Sequence, residues 1–258
     1  MANHLRRIDD IINQYDIKVL SVDVFDTVLL RTTRPELQRF KDFCRLQLKY
    51  LQLGDQVSLE LFYRARLKAG REAYKKANLS GGAYEARYQD IYSDVADKFS
   101  SFILGDKQRF VEKCLSLELA REAAGLKLNS SLWHFLKKKK REGIRLIYCS
   151  DMYLDGQSVK LLLESISKQT LEEELIVSSD YQQTKRKGAL FETLISFTHT
   201  VPGRILHIGD NFHSDYRKPQ MCGINSYYFP RSPLWRIVSQ ARKRLYRSYL
   251  QMNGSLSL

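Results

Sequence analysis

Five short apolar runs, set apart by segments of helical periodicity, limit what this chain can fold into more than any other feature. IKVLSV (Ile17–Val22), IRLIYCS (Ile144–Ser150), ELIVSS (Glu174–Ser179), RILHIGD from Arg204 and NSYYF from Asn225 each read as a strand. Strand, helix, strand in repetition predicts an α/β fold, a doubly wound parallel sheet with helices on both faces. Ligand sites of such sheets gather at the carboxyl ends of the strands. Here those ends carry Asp23 and Asp26, Ser150 and Asp151, a region with Lys185 and Lys187, and Asp210 with Asp215. For the first run alone, a strand followed by an Asp-capped turn explains the acids equally well.

Between the first two runs lie about a hundred residues of different texture. Segments near 35–52, 58–77, 84–104 and 107–124 show apolar residues three and four apart, with breaks at Gly54-Asp55, Ser80-Gly81-Gly82 and Gly105-Asp106. A crossover between parallel strands needs only a dozen or so residues and a helix, so the excess reads as an inserted helical cap. The expected organisation is therefore a discontinuous core, 1–32 and 128–230, a cap at 33–127, and a basic amphipathic tail at 231–258.

Among 258 residues no run approaches the ~20 apolar residues needed to cross a bilayer. The start, MANHLRRIDDII, is too charged for a secretory segment, so the expected location is the cytoplasm. Cys44, Cys114, Cys149 and Cys222 are widely spaced and read as buried reduced thiols. Lys and Arg exceed Asp and Glu by 42 to 29, which points to an acidic partner: a phosphorylated substrate, nucleic acid or anionic lipid. From Arg231 onward there are six basic residues and no acidic one. There Leu234, Val238, Ala241, Leu245 and Tyr249 form a stripe. Such a helix either lies on an anionic membrane at the inner face or docks on its own domain. Lys137 to Lys140 reads as a solvated helix face.

Read as chemistry, the strand ends hold a carboxylate nucleophile, a hydroxyl donor, a cation and acids suited to Mg²⁺. The sequence here resembles the haloacid dehalogenase superfamily. Its first motif, DxDxT after a strand, is similar to Asp23-Val24-Phe25-Asp26-Thr27, and its second to IYCS with Ser150. The third is similar to TKRKGALF with Lys185, and the fourth, GDxxxxD, to Gly209-Asp210 through Asp215. SVDVFDTVLL, SDMYLD and TKRKGALF further resemble a bacterial subgroup associated with surface-polysaccharide glycosyltransferases.

The resemblance implies that Asp23 attacks phosphorus to form an aspartyl-phosphate. It implies Mg²⁺ held by Asp23, the main-chain carbonyl of Phe25, Asp210 and Asp215, with Asp215 either a ligand or a support behind one. Ser150 and Lys185 would hold the phosphoryl group, with Thr27 and Asp151 as further phosphate-binding candidates. Family phosphatases carry an acid two residues after the nucleophile, where Phe25 stands. A missing general acid/base costs a factor of roughly 10² to 10⁴. Asp26 either takes over that proton transfer or caps the loop. His207 reads as a packed strand histidine, His213 as a loop residue that faces substrate or solvent, and Tyr153 and Asp151 as residues lining the pocket entrance, Asp151 equally as a helix cap. The expected function is an Mg²⁺-dependent phosphomonoesterase acting on a sugar phosphate or phosphorylated glycan. Its rivals are a non-catalytic partner of a glycosyltransferase and, with no recognition motif to support it, a nucleic-acid-binding protein.

Overall fold

The computed structural model describes residues 1–51, 53, 56–79, 84–103 and 105–252. The chain divides into two compact units, one of Met1–Arg31, Ser80–Glu85 and Leu126–Arg231, the other of Thr32–Leu79, Ala86–Gly125 and Ser232–Leu258. The first unit starts with α1 (Ala2–Gln14), β1 (Val19–Val22) and β2 (Leu29–Arg31). The second follows with α2 (Glu36–Leu51), α3 (Leu59–Leu79), α4 (Tyr88–Lys98) and α5 (Lys107–Ala123). The first unit then resumes with β3 (Leu126–Leu128), α6 (Ser130–Arg141), β4 (Arg145–Ser150), α7 (Gly156–Ser167), β5 (Glu174–Val177) and α8 (Ser178–Tyr181). It ends with α9 (Ala189–Thr198), β6 (Ile205–Gly209), α10 (Lys218–Met221) and β7 (Asn225–Tyr228), and α11 (Pro233–Met252) belongs to the second unit.

Five strands form one parallel sheet in the order β5-β4-β1-β6-β7. β1 is central, with Val22 opposite Tyr148 of β4 and Ile208 of β6. Central β1 and its neighbour β6 are buried throughout and β4 almost so, as strands covered on both faces are, whereas β5 and β7 at the sheet edges are partly or wholly half-buried. Val19, Ile147, Cys149, Ile176 and Ile205 pack against Leu190, Phe191 and Leu194 of α9 in one core. The predicted strand Glu174–Ser179 stops at Val177 and turns into α8. The reason is that both serines serve the loop after β4: Ser178 Oγ accepts from the Met152 N–H at 2.8 Å, and Ser179 Oγ donates to the Leu154 carbonyl at 2.7 Å. A small antiparallel pair, β2 with β3, also belongs to the first unit; three-residue strands carry too little periodicity to be seen beforehand.

The second unit is built around buried polar groups. Gln47 Nε2 donates to the Tyr92 hydroxyl at 2.6 Å and to the Cys114 carbonyl at 2.9 Å, Tyr92 bonds Glu118, and Arg66 pairs with Glu118 at 3.7 Å. Gly105 takes a φ of +108°, and Asp106 caps α5 by accepting from the Arg109 N–H. The breaks expected at Gly54-Asp55 and Ser80-Gly81-Gly82 lie outside the described residues.

Two surface expectations change. The Lys137–Lys140 run is paired rather than simply solvated: Lys137 and Lys140 reach Glu173 at 2.6 and 2.8 Å, and buried Lys139 bonds Asp9 and Glu142. On α11, Leu234, Ala241, Leu245 and Tyr249 are exposed, whereas Leu250 is buried and Trp235 and Tyr246 half-buried. Val238 of the stripe is half-buried, so the stripe seen in the sequence lies mostly, but not wholly, on the outward side of the helix.

Candidate active site

β1 delivers Asp23 next to the end of β6, its backbone N–H donating to the Ile208 carbonyl at 2.9 Å. The following loop is tight, with the Val28 and Leu29 N–H groups both on the Val24 carbonyl and Asp26 at φ +65°. Buried Asp23 accepts through Oδ1 from Lys185 Nζ at 2.6 Å and through Oδ2 from Thr27 Oγ1 at 3.0 Å. Lys185, 2% exposed, bonds Asp215 Oδ1 as well, at 2.7 Å. It sits on a 3₁₀ turn whose entry is fixed by Asp151: the Lys185 and Arg186 N–H groups donate to the two Asp151 oxygens at 2.7 and 3.3 Å. Asp151 therefore spends its carboxylate on backbone. Lys187, two residues on, is exposed.

Asp215 comes from a π-helical turn, Phe212–Arg217, capped by Asn211, whose side chain accepts from the His213 and Ser214 N–H groups at 3.0 Å. Its Oδ2 accepts from the Asn211 N–H at 2.9 Å. This carboxylate lies so close to the strand end that a Cβ on Gly209 would stand 2.5 Å from it, so only glycine fits. His207, fully buried, faces Asp215 Oδ1 with Nε2 at 3.3 Å and Ser21 Oγ with Nδ1 at 2.8 Å. Burial lowers the His207 pKa and keeps the ring neutral. An ionised Asp215 then requires the proton on Nε2, and Ser21 donates to Nδ1. His207 is packed, edge-on against Phe191, and also orients Asp215.

Asp23, Asp210 and Asp215 offer carboxylate oxygens within 4.8 Å of one another. Burial, more than the neighbouring acids, pushes Asp23 up to about 7 and Asp210 up to about 8. Burial also opposes ionisation of Asp215, but the Lys185 ammonium and His207 outweigh it and hold that carboxyl well below the usual range. One ammonium among three acids leaves the pocket short of positive charge. Hard carboxylate donors with such a deficit fit a divalent cation such as Mg²⁺. Asp215 is more heavily engaged than Asp23: its Oδ1 takes bonds from both Lys185 and His207 and its Oδ2 one from the Asn211 N–H, whereas each Asp23 oxygen takes one, which leaves Asp23 and Asp210 the better ligands. Ser150 ends β4, beside β1, and its buried Oγ has no partner among the described residues, a donor left over for a ligand oxygen.

On the other side of the loop, the Phe25 ring lies under the Arg31 guanidinium, 4.2 Å from its centroid. Asp26 Oδ1 accepts from Arg231 Nη1 at 2.6 Å and from the Arg31 N–H at 3.2 Å, while Arg231 also donates to the Arg31 carbonyl. Asp26 thus serves as the clasp of the loop. Arg231, Ser21 and Asn211 were not anticipated as site residues. The signal for Arg231 was its place just past the end of the β7 strand, where the charge excess of the tail masked it. Tyr153 is buried and His213 exposed.

With this geometry in place, comparison with solved structures finds the same fold. A 2-haloacid dehalogenase from Pseudomonas syringae pv. Tomato DC3000 superposes with a TM-score of 0.59 at 15% identity, over 83% of this chain and 86% of that one. A HAD family enzyme, bt-2542 from Bacteroides thetaiotaomicron, gives 0.52 at 14% identity over 84% and 95%. CbbY from Rhodobacter sphaeroides, in complex with phosphate, gives 0.50 at 15% identity over 84% and 87%. No family model matches the sequence, and the search of curated proteins finds no match. At these identities the likeness establishes the fold, a Rossmann-like core of the haloacid dehalogenase type.

Proposed function

We propose that this chain is a Mg²⁺-dependent phosphomonoesterase that works through an aspartyl-phosphate on Asp23. The observation that carries this reading is the group of buried Asp23, Lys185 and Asp215 with half-buried Asp210 at the strand ends, together with Ser150, whose Oγ has no partner among the described residues. Asp23, the Phe25 carbonyl and Asp210 would hold Mg²⁺, with Asp215 behind them. When bound, the cation neutralises charge on the transferring phosphoryl group.

In the first step an Asp23 carboxylate oxygen forms a bond to phosphorus as the ester P–O bond breaks, and the electron pair leaves on the alcohol oxygen. Lys185 and Ser150 bind the equatorial oxygens as charge develops. In the second step water attacks phosphorus, the bond to Asp23 breaks, and inorganic phosphate departs. Phe25 brings no proton to the leaving oxygen, and Asp26 is held by Arg231 and Arg31. That oxygen therefore takes its proton from solvent or from the substrate. A phosphate on an acidic hydroxyl, such as the anomeric hydroxyl of a sugar, needs the missing proton least, which agrees with a sugar phosphate or phosphorylated glycan of surface-polysaccharide assembly. The helical insertion, 33–127, would act as the cap that selects it.

A second reading, a non-catalytic partner of a glycosyltransferase, is favoured by Phe25 and by the clasped Asp26. Phosphate release from an aryl phosphate with Mg²⁺ separates the two. Turnover abolished by Asp23→Asn supports the first reading; no turnover with any aryl or sugar phosphate supports the second.

A further inference from the structure

α11 carries a surface for which catalysis has no use. On one face Leu250 is buried and Trp235 half-buried, and Tyr246 hydrogen-bonds Tyr63 of the same unit. On another side Leu234, Ile237, Ala241, Leu245 and Met252 recur three, four, four and seven residues apart, one line along the helix. Leu234, Ile237, Leu245 and Met252 are 72%, 66%, 71% and 80% exposed. Exposed Arg236, Lys243, Arg244 and Arg247 occupy the remaining side. At the edge of the apolar line a cavity of about 510 Å³ is lined by Arg34, Gln38, Arg242, Leu245, Tyr246 and Tyr249.

We propose that α11 seats the protein on an anionic membrane surface, lying flat, with the Leu234–Met252 line in the headgroup–acyl boundary and the flanking cations on lipid phosphates. An in-plane helix combines just these two features, a continuous apolar line and a cationic flank. No helix among the described residues is long and apolar enough to cross a membrane, so the contact is peripheral. Charge selects lipid over a second copy of the chain. From Arg231 onward there are six basic residues and no acid, so two such faces brought together would set like charges against each other. Arg242, which also donates to Thr33 Oγ1 at 2.8 Å, places a guanidinium at the cavity where a lipid phosphate would enter. The Asp23 centre takes no part in this contact.

The test is co-sedimentation of the full chain with vesicles of phosphatidylcholine, alone or with one-third phosphatidylserine, at low and high salt. Binding is expected to the anionic vesicles only and to weaken with salt. Each basic residue at such a surface is worth about fivefold in partitioning, so Arg236→Gln/Lys243→Gln/Arg247→Gln together should weaken binding about a hundredfold. Ile237→Ser/Leu245→Ser should abolish it. Both variants should melt as wild type, because these side chains are exposed, and Asp23→Asn should bind as wild type whatever its activity. Equal binding to neutral vesicles, or variants that bind undiminished, overturns the proposal. So does absence of vesicle binding, whether alone, with a dimer that Ile237→Ser/Leu245→Ser dissolves, or with polynucleotide binding that the three Gln substitutions remove.

Discussion

Replacing Lys185 by Met is the most direct probe of the electrostatics proposed for the pocket. The ammonium lies 2.6 Å from Asp23 and 2.7 Å from Asp215 and is almost wholly buried, so Met fills a similar volume but leaves two buried acids unneutralised. Breaking a buried pair by removing one partner costs ~3–5 kcal/mol. For a chain of this size that lowers Tm by about 10 °C. The cost should depend on pH. In the wild type Asp23 and Asp210 have folded values of about 7 and about 8, above their unfolded 3.8. Each therefore penalises the folded state increasingly as pH rises from 4 toward 8, and the penalty disappears at lower pH, where both states are protonated. Asp215 has the opposite sign: its folded value is depressed, so it stabilises above its unfolded value and loses that stabilisation only as pH falls further. Without Lys185 the main group holding Asp215 down is gone, and Asp215 joins the first class. The deficit of Lys185→Met should thus be large at pH 8, much smaller at pH 5, and partly restored at pH 8 by Mg²⁺ through mass action. Melting followed by Trp133 fluorescence in a Trp235→Phe background reads the sheet unit alone, since these are the two tryptophans. A deficit equal at pH 5 and pH 8, or a variant more stable than wild type at pH 8, would refute the assignment of Lys185 as counter-charge to two buried carboxylates.

Two further outcomes follow from the site. Gly209→Ala places a methyl 2.5 Å from an Asp215 carboxylate that Lys185, His207 and Asn211 hold in place, so a loss of ~1–3 kcal/mol together with most of the phosphate release is expected. Urea unfolding and phosphate assays check both, and an unperturbed variant would mean that Asp215 is free to move. Phe25→Asp should raise turnover of alkyl phosphates by about 10² to 10⁴ while changing activated aryl phosphates little, because only poor leaving groups need the proton. Comparing rates across leaving groups before and after the substitution measures it, and an equal gain on both classes would point to a role other than proton transfer.

Much of this was legible along the chain because burial on two faces and termination in a polar group are local properties. Ile17–Val22 and Ile144–Ser150 announced themselves as strands by apolar content, and parallel strands must bring their ends, hence Asp23, Ser150 and Asp210, to one edge. Pairing is not local. The side chains that bond Asp23 and Asp26 most tightly are Lys185, 162 residues away, and Arg231, 205 residues away. Their meeting depends on the order β5-β4-β1-β6-β7 and on loops whose residues carry no periodicity. The same holds for Ser178 and Ser179, β-like by composition but turned out of the strand by the loop they bind. On α11 the periodicity showed an apolar line and a charged flank, yet a helix with two such sides can turn either one inward. Packing through Trp235, Tyr246 and Leu250 made that choice and left the apolar line in solvent. Sequence determined which runs become strands and, for β1, β4 and β6, which chemical group stands at the end; tertiary structure decided where β5 stops and which groups neutralise one another, because a hydrogen bond between distant residues is set by sheet order and not by neighbours along the chain.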